Sequence, residues 1–197
     1  MSRIQKLPTE AWDSELRAMT LADEGTPLEQ GLMRMIAHQP EMAKGMVAFS
    51  GALLRNNGLP RRLVELVRLR VAFHNQCRSC MAIRYRSAVD DGLTEGMVCS
   101  LERPQDAPDL TAAEKAAIHY ADLSSTDHLS ITDATFDELR EHFSEANIVA
   151  LGMIIAFFIG YGRLAAAWHM TEELPEGFQI NPGTVAPWTE EAILVRG

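Results

Sequence analysis

The chain has 197 residues, 47% hydrophobic and 23% charged, with a net charge of −9. That balance suits one soluble globular domain, and the acidity argues against nucleic acid or an anionic membrane as a partner, since both demand a basic face. Three cysteines do not make a secreted disulfide framework, and Met1-Ser2-Arg3-Ile4-Gln5-Lys6 leads into no apolar signal core, so a cytoplasmic location is expected.

Strand signals are scarce and helical ones many. Pro27 opens a segment with Leu28, Leu32, Met35 and Ile36 on one face, stopped by Pro40. Residues 41–56 carry Met42, Met46, Phe49, Leu53 and Leu54 at helical spacing and stop at Asn57-Gly58. These methionines read as core fillers. Leu63, Leu66, Val67, Arg70 and Val71 predict a helix from Pro60 to about Phe73, after which His74-Asn75-Gln76 interrupts the pattern. A further helix is expected to begin at Cys77-Arg78-Ser79-Cys80 and to end before Gly92, where a left-handed cap belongs.

Thr94 caps a short helix to Leu101, and residues 103–108 form a loop. Thr111 and Glu114 form a capping box that starts a helix to about Ser124. Thr132 caps 136–143, and Ser144 caps a long apolar helix from Glu145 to about Met170. Within it, residues 148–162 are almost entirely apolar but shorter than the ~20 residues a bilayer crossing needs. Glu145 and Arg163 bracket them. A helix apolar on all sides belongs in a core, or in a core extended by a subunit interface. Residues 175–197 hold three prolines and no period, and read as an extended tail, packed on a neighbouring subunit through Trp188. The expected architecture is all-α, a bundle of about eight helices spanning residues 1–174 with the tail appended.

The chemistry concentrates at Cys77-x-x-Cys80. In the first turn of a helix, free amide N–H groups and the positive dipole end would stabilise thiolates, so the pair looks like a redox site. A structural zinc site would need His74, Cys77, Cys80 and a distant fourth ligand such as His119, where two spaced pairs are the usual arrangement. A thioredoxin-type site would place the motif after a strand, and the preceding segment is helical in period. Glu65 lies twelve residues before Cys77. Its bland reading is an arginine-paired residue, given Arg61, Arg62, Arg68 and Arg70. Partly buried near a thiol, it could instead pass protons.

Glu65, then eleven residues, then Cys77-Arg78-Ser79-Cys80 on a helical chain resembles the alkylhydroperoxidase D (AhpD)-like, carboxymuconolactone decarboxylase superfamily. The likeness is carried by residues 60–92, and more loosely by the capped helix at Thr111 and the apolar helix that follows. Redox members carry E-x11-C-x2-C-x3-H. The resemblance implies Cys80 as the peroxidatic thiol, Cys77 as the resolving thiol that closes a disulfide with it, and Glu65 as a relay acid. It also implies a hydroperoxide substrate, a separate dithiol reductant, no cofactor or metal, and a homo-oligomer, trimer or hexamer.

The relay histidine would fall at position 84, where this chain has Arg84. On one helix, residues 80 and 84 share a face, so Arg84 could hold a thiolate or a substrate carboxylate but could not accept a proton. The proton route would then use Glu65 through water, or His74, Tyr85 or His119. Three readings follow: a peroxidase; a decarboxylase-like enzyme acting on a small carboxylic acid or lactone, bound by Arg84 or Arg70; and a redox-sensing helical oligomer without catalysis.

Overall fold

The computed structural model describes residues 2–180, 183–189 and 191–196. Among these, twelve α-helical segments surround a single pair of three-residue strands. The fold is all-α, as expected, and the helix count is higher because two of the expected helices are broken and two short ones, Ser14–Met19 and Glu176–Ile180, lie outside the expected set.

The first break is at Gly31. The run expected over 27–40 folds as α2 (Pro27–Gln30) and α3 (Met33–Ile36), after α1 (Ser14–Met19). Gly31 sits between them at φ +48°, a conformation that a side chain would strain. Then come α4 (Pro40–Arg55) and α5 (Arg61–Asn75). Gln76, at φ +50°, ends α5, and the Cys77 N–H donates back to the Ala72 carbonyl.

The second break follows the cysteines. The expected helix to Gly92 is instead α6 (Arg78–Met81), strand β1 (Ile83–Tyr85) and α7 (Arg86–Asp90). Gly92 does take a left-handed conformation, at φ +89°. The chain continues through α8 (Glu95–Ser100), α9 (Ala112–Thr126), α10 (Asp133–Arg140), α11 (Glu145–Trp168), α12 (Glu176–Ile180) and β2 (Ile193–Val195). Thr111 and Glu114 close the capping box that starts α9.

Helix α5 is the centre of the molecule. Its Leu63, Val64, Val67 and Val71 meet Ala117 and Ala121 of α9 and Leu151, Ile154 and Ile155 of α11 in one buried cluster. Gly162 lets α11 close on the end of α5, since a Cβ there would lie 2.5 Å from the Asn75 amide nitrogen. That amide donates to the Phe158 carbonyl at 3.0 Å, and Arg163 reaches the Asn75 side chain at 3.1 Å. The junction fixes where α5 ends and the cysteine motif begins.

At 24 residues, with a mean hydropathy of 2.0 over its most apolar stretch, α11 is long and apolar enough to cross a membrane. The length argument against a span therefore falls. What places α11 in a protein core is its packing on α5 and α9. Its other face is bare: Val149 is 60% exposed and Met153 45%. With Met42 and Phe49 of α4 it borders an apolar groove of about 1050 Å³. Met42, expected in the core, is 71% exposed here.

The tail does not run away from the domain. Phe178 and Val185 are buried against Ala72, Met81 and Ala82 of the same chain. Strand β2 pairs in parallel with β1. Trp188, expected on a neighbouring subunit, stacks on Phe73 of its own chain, ring centroids 4.8 Å apart. Residues 181, 182, 190 and 197 of the expected tail lie outside the described residues.

Candidate active site

The site is built where α5 passes behind the cysteine motif. Cys77 and Cys80 are joined as a disulfide, with Cα atoms 5.2 Å apart. The two sulfurs are not equivalent. Cys77 is fully buried, whereas Cys80 is half-buried and lines a cavity of about 250 Å³. Helix α6 is a single turn, so the dipole available to the cysteines is smaller than a long helix would supply.

Glu65 and Arg68 stand one turn apart on α5, both buried. Arg68 grips the carboxylate with both sides of its fork, Nε to Oε2 at 2.6 Å and Nη2 to Oε1 at 2.7 Å. The rest of the guanidinium reaches over to the motif, donating to the carbonyls of Cys80 at 2.5 Å and Ile83 at 2.9 Å. Glu65 in turn accepts from the Tyr85 backbone N–H at 3.2 Å. The ion pair is thus a clamp that fixes the backbone from Cys80 to Tyr85. Burial alone would pull the Arg68 guanidinium down, but the Glu65 carboxylate outweighs it and holds the group above its ordinary value.

The cavity has a polar wall and an apolar one. Ser79, Cys80, Arg68 and Tyr85 make the first; Leu28, Leu32 and Met46, with Phe157, Phe158 and Tyr161 of α11, contribute to the second. The Arg68 guanidinium carbon lies 4.9 Å from the Tyr85 ring centroid. Burial pushes the Tyr85 phenol up, against the pull of Arg68, so it is neutral at physiological pH.

Two expected site residues are elsewhere. Arg84 does not share a helical face with Cys80, because residues 83–85 are a strand and successive side chains alternate. Ile83 and Tyr85 line the Cys80 cavity, while Arg84 faces a separate pocket with Glu95 and Leu194. Its guanidinium pairs with Glu95 at 3.0 Å and donates to the carbonyls of Met81, Ile83 and Pro187. Arg84 is a staple between β1, α8 and the C-terminal segment.

His74 lies away from the cavity, its Nε2 2.6 Å from Asp122 Oδ1, an oxygen that Arg70 also reaches at 2.6 Å. Burial pushes the Asp122 carboxyl up, but the hydrogen bonds from His74 and Arg70 outweigh it and hold the group below its ordinary 3.8. A carboxylate with a depressed folded pKa contributes stability that is present above the unfolded value and lost as pH falls through the folded one. Asp122→Asn is therefore expected to be less stable than wild type at neutral pH, with the gap narrowing below about pH 4. Urea unfolding at the two pH values checks this, and a gap that widens in acid would contradict it.

Sequence reasoning missed the clamp and the far wall. Arg68 was visible as a partner for Glu65, but its reach to the Cys80 carbonyl depends on the fold of α6 and β1. Nothing local marks Phe157, Phe158 and Tyr161 as cavity residues, since they lie more than seventy residues beyond Cys80.

Residues 40–123 match the carboxymuconolactone decarboxylase family. That stretch contains Glu65, Arg68, both motif cysteines, Arg84 and Tyr85. The matched stretch, somewhat under half of the chain, is similar to that family.

Two uncharacterized proteins of Mycobacterium tuberculosis are each 36% identical to it over 105 residues, 52% of this chain and 36% of theirs. The chain thus matches only about a third of those relatives' length. Among solved structures it is similar to an alkylhydroperoxidase AhpD core, an uncharacterized peroxidase-related protein of Ralstonia eutropha. The TM-score is 0.74 at 21% identity, covering 91% of this chain and 95% of that one. A protein of unknown function from Agrobacterium tumefaciens matches at a TM-score of 0.60 and 24% identity, over 70% and 93% of the two chains. A peroxidase-related protein of a Silicibacter species matches at 0.63 and 17%, over 91% and 98%. These likenesses establish the AhpD-like fold. Helix α11 and the segment at α2, which supply the apolar wall apart from Met46, lie outside the stretch that matches the family.

Proposed function

We propose that this AhpD-like protein is a thiol peroxidase that reduces hydroperoxides through a Cys80/Cys77 dithiol–disulfide couple. The observation that carries the reading is the asymmetry of the pair: Cys80 lines a cavity with one apolar wall, and Cys77 is fully buried. The Cys80 thiolate attacks the distal peroxide oxygen, giving a sulfenic acid and releasing an alcohol once the leaving oxygen is protonated. The Cys77 thiol then displaces water from the sulfenic acid to form the disulfide, and an external dithiol reduces it by exchange, becoming a disulfide itself. Glu65 acts here by holding Arg68, not as a free base. The bare apolar face of α4 and α11 supports self-association, and regeneration by a dithiol suits a reducing, cytoplasmic setting.

The decarboxylase-like alternative needs a cation for a substrate carboxylate. Arg84 and Arg70 are each already paired with a carboxylate, Glu95 and Asp122, and Arg68 is spent on Glu65. That favours the peroxidase reading. The test is a thiol count on the fully reduced protein. One equivalent of alkyl hydroperoxide is expected to remove two of the three thiols, with Cys77 and Cys80 linked in the peptide map and Cys99 left free. Three surviving thiols after complete mixing would overturn the proposal.

A further inference from the structure

Breaking the O–O bond leaves an alkoxide, a strong base that must be protonated as it departs. The family's histidine position cannot serve, because Arg84 carries a permanently protonated guanidinium and faces another pocket. Glu65 has both oxygens taken by Arg68, and His74 is bonded to Asp122 away from the cavity. The strand that turns residue 84 away turns residue 85 in.

We infer that Tyr85 is the general acid of the reaction, its hydroxyl protonating the leaving alkoxide in the Cys80 cavity; the assignment rests on the peroxidase reading above. Three observations carry it. Tyr85 lines the same cavity as Cys80. Its hydroxyl makes no hydrogen bond to any described residue, and no buried side-chain oxygen or nitrogen among those residues lacks a partner, so the hydroxyl is not sealed in the core. Arg68 lies 4.9 Å from the ring, where its charge stabilises the phenolate that the transfer creates.

The other titratable groups on the cavity wall fit less well. Glu29 is tied to Thr26 and Arg196. Tyr161 stacks on Phe157 and has no cation beside its ring among the described residues. The step balances simply. The thiolate pair forms the S–O bond, the O–O pair leaves with the alkoxide oxygen, and the Tyr85 proton moves to that oxygen, giving the alcohol. The phenolate is then reprotonated from water.

The leaving group supplies the test. tert-Butyl hydroperoxide expels an alkoxide, whereas peroxyacetic acid expels a carboxylate, which needs no proton. Thiol loss in a single turnover would be timed for wild type, Tyr85→Phe and Tyr161→Phe with each oxidant. Tyr85→Phe keeps the ring, its packing and its contact with Arg68. It is expected to slow the tert-butyl hydroperoxide reaction roughly 10²-fold or more, with the peroxyacetic acid rate near that of wild type; Tyr161→Phe is expected to change the two rates by the same factor, with no split between the oxidants. Equal slowing with both oxidants, no slowing with either, or a loss confined to Tyr161→Phe would overturn the assignment. A wild-type protein inert to tert-butyl hydroperoxide would overturn the peroxidase reading and this inference with it; a reactive wild type matched by Tyr85→Phe would overturn the inference alone.

Discussion

Arg68→Met is expected to lower the free energy of unfolding by about 3–5 kcal/mol, the usual cost of stranding one partner of a buried ion pair. The side chains of Glu65 and Arg68 are only 3% and 6% exposed, so water cannot take over the lost partner. The carboxylate would be left in the core with only the Tyr85 N–H. The Cys80 carbonyl would lose its Arg68 donor as well, while the Ile83 carbonyl would keep only Arg84 of its two arginine donors. If charge and not volume sets the cost, Glu65→Leu combined with Arg68→Met should recover much of it, because apolar replacement of a whole buried pair is often neutral. Urea midpoints of the two single variants and the double variant check this. A loss under about 1 kcal/mol in Arg68→Met would mean that the pair behaves as an exposed one.

The second large effect is on turnover. Cys80→Ser is expected to abolish hydroperoxide consumption under a dithiol regenerating system, because a hydroxyl in place of the thiolate leaves no nucleophile facing the cavity. Cys77→Ser should differ in kind. It keeps the attacking thiol, so it should consume one equivalent of peroxide and then slow sharply, with no resolving thiol to close the disulfide. The contrast follows from the burial of Cys77 against the cavity position of Cys80. Multiple turnovers by Cys80→Ser at the wild-type rate would sink it.

The sequence made the helices legible because most carry their own boundary signals. Thr111 with Glu114, Ser144 with Asn147 and Asn57 with Gly58 act within a few residues, and each sits where it was expected. The helix expected from the cysteines to Gly92 begins there but stops after one turn. Its residues from Ile83 to Tyr85 are drawn into a strand by β2, more than a hundred residues later, and a local period cannot report a distant partner. That one difference moved Arg84 away from the cavity and brought Tyr85 in. Glu65 was legible as part of the site through its spacing to Cys77, whereas its role depends on where the Arg68 fork points. The extent of α11 was legible, expected from Glu145 to about Met170 and found from Glu145 to Trp168; what misled was holding only its fifteen most apolar residues against the thickness of a bilayer.

The central claim is that Cys80 is the sulfur that meets the oxidant. The direct measurement is the site of sulfenic acid formation in Cys77→Ser after one equivalent of alkyl hydroperoxide, trapped with a sulfenic-acid-specific nucleophile and located by peptide mass. The predicted result is the adduct on Cys80, with Cys99 unmodified. An adduct on Cys99 alone, or peroxide consumed with Cys80 still a free thiol, would contradict it.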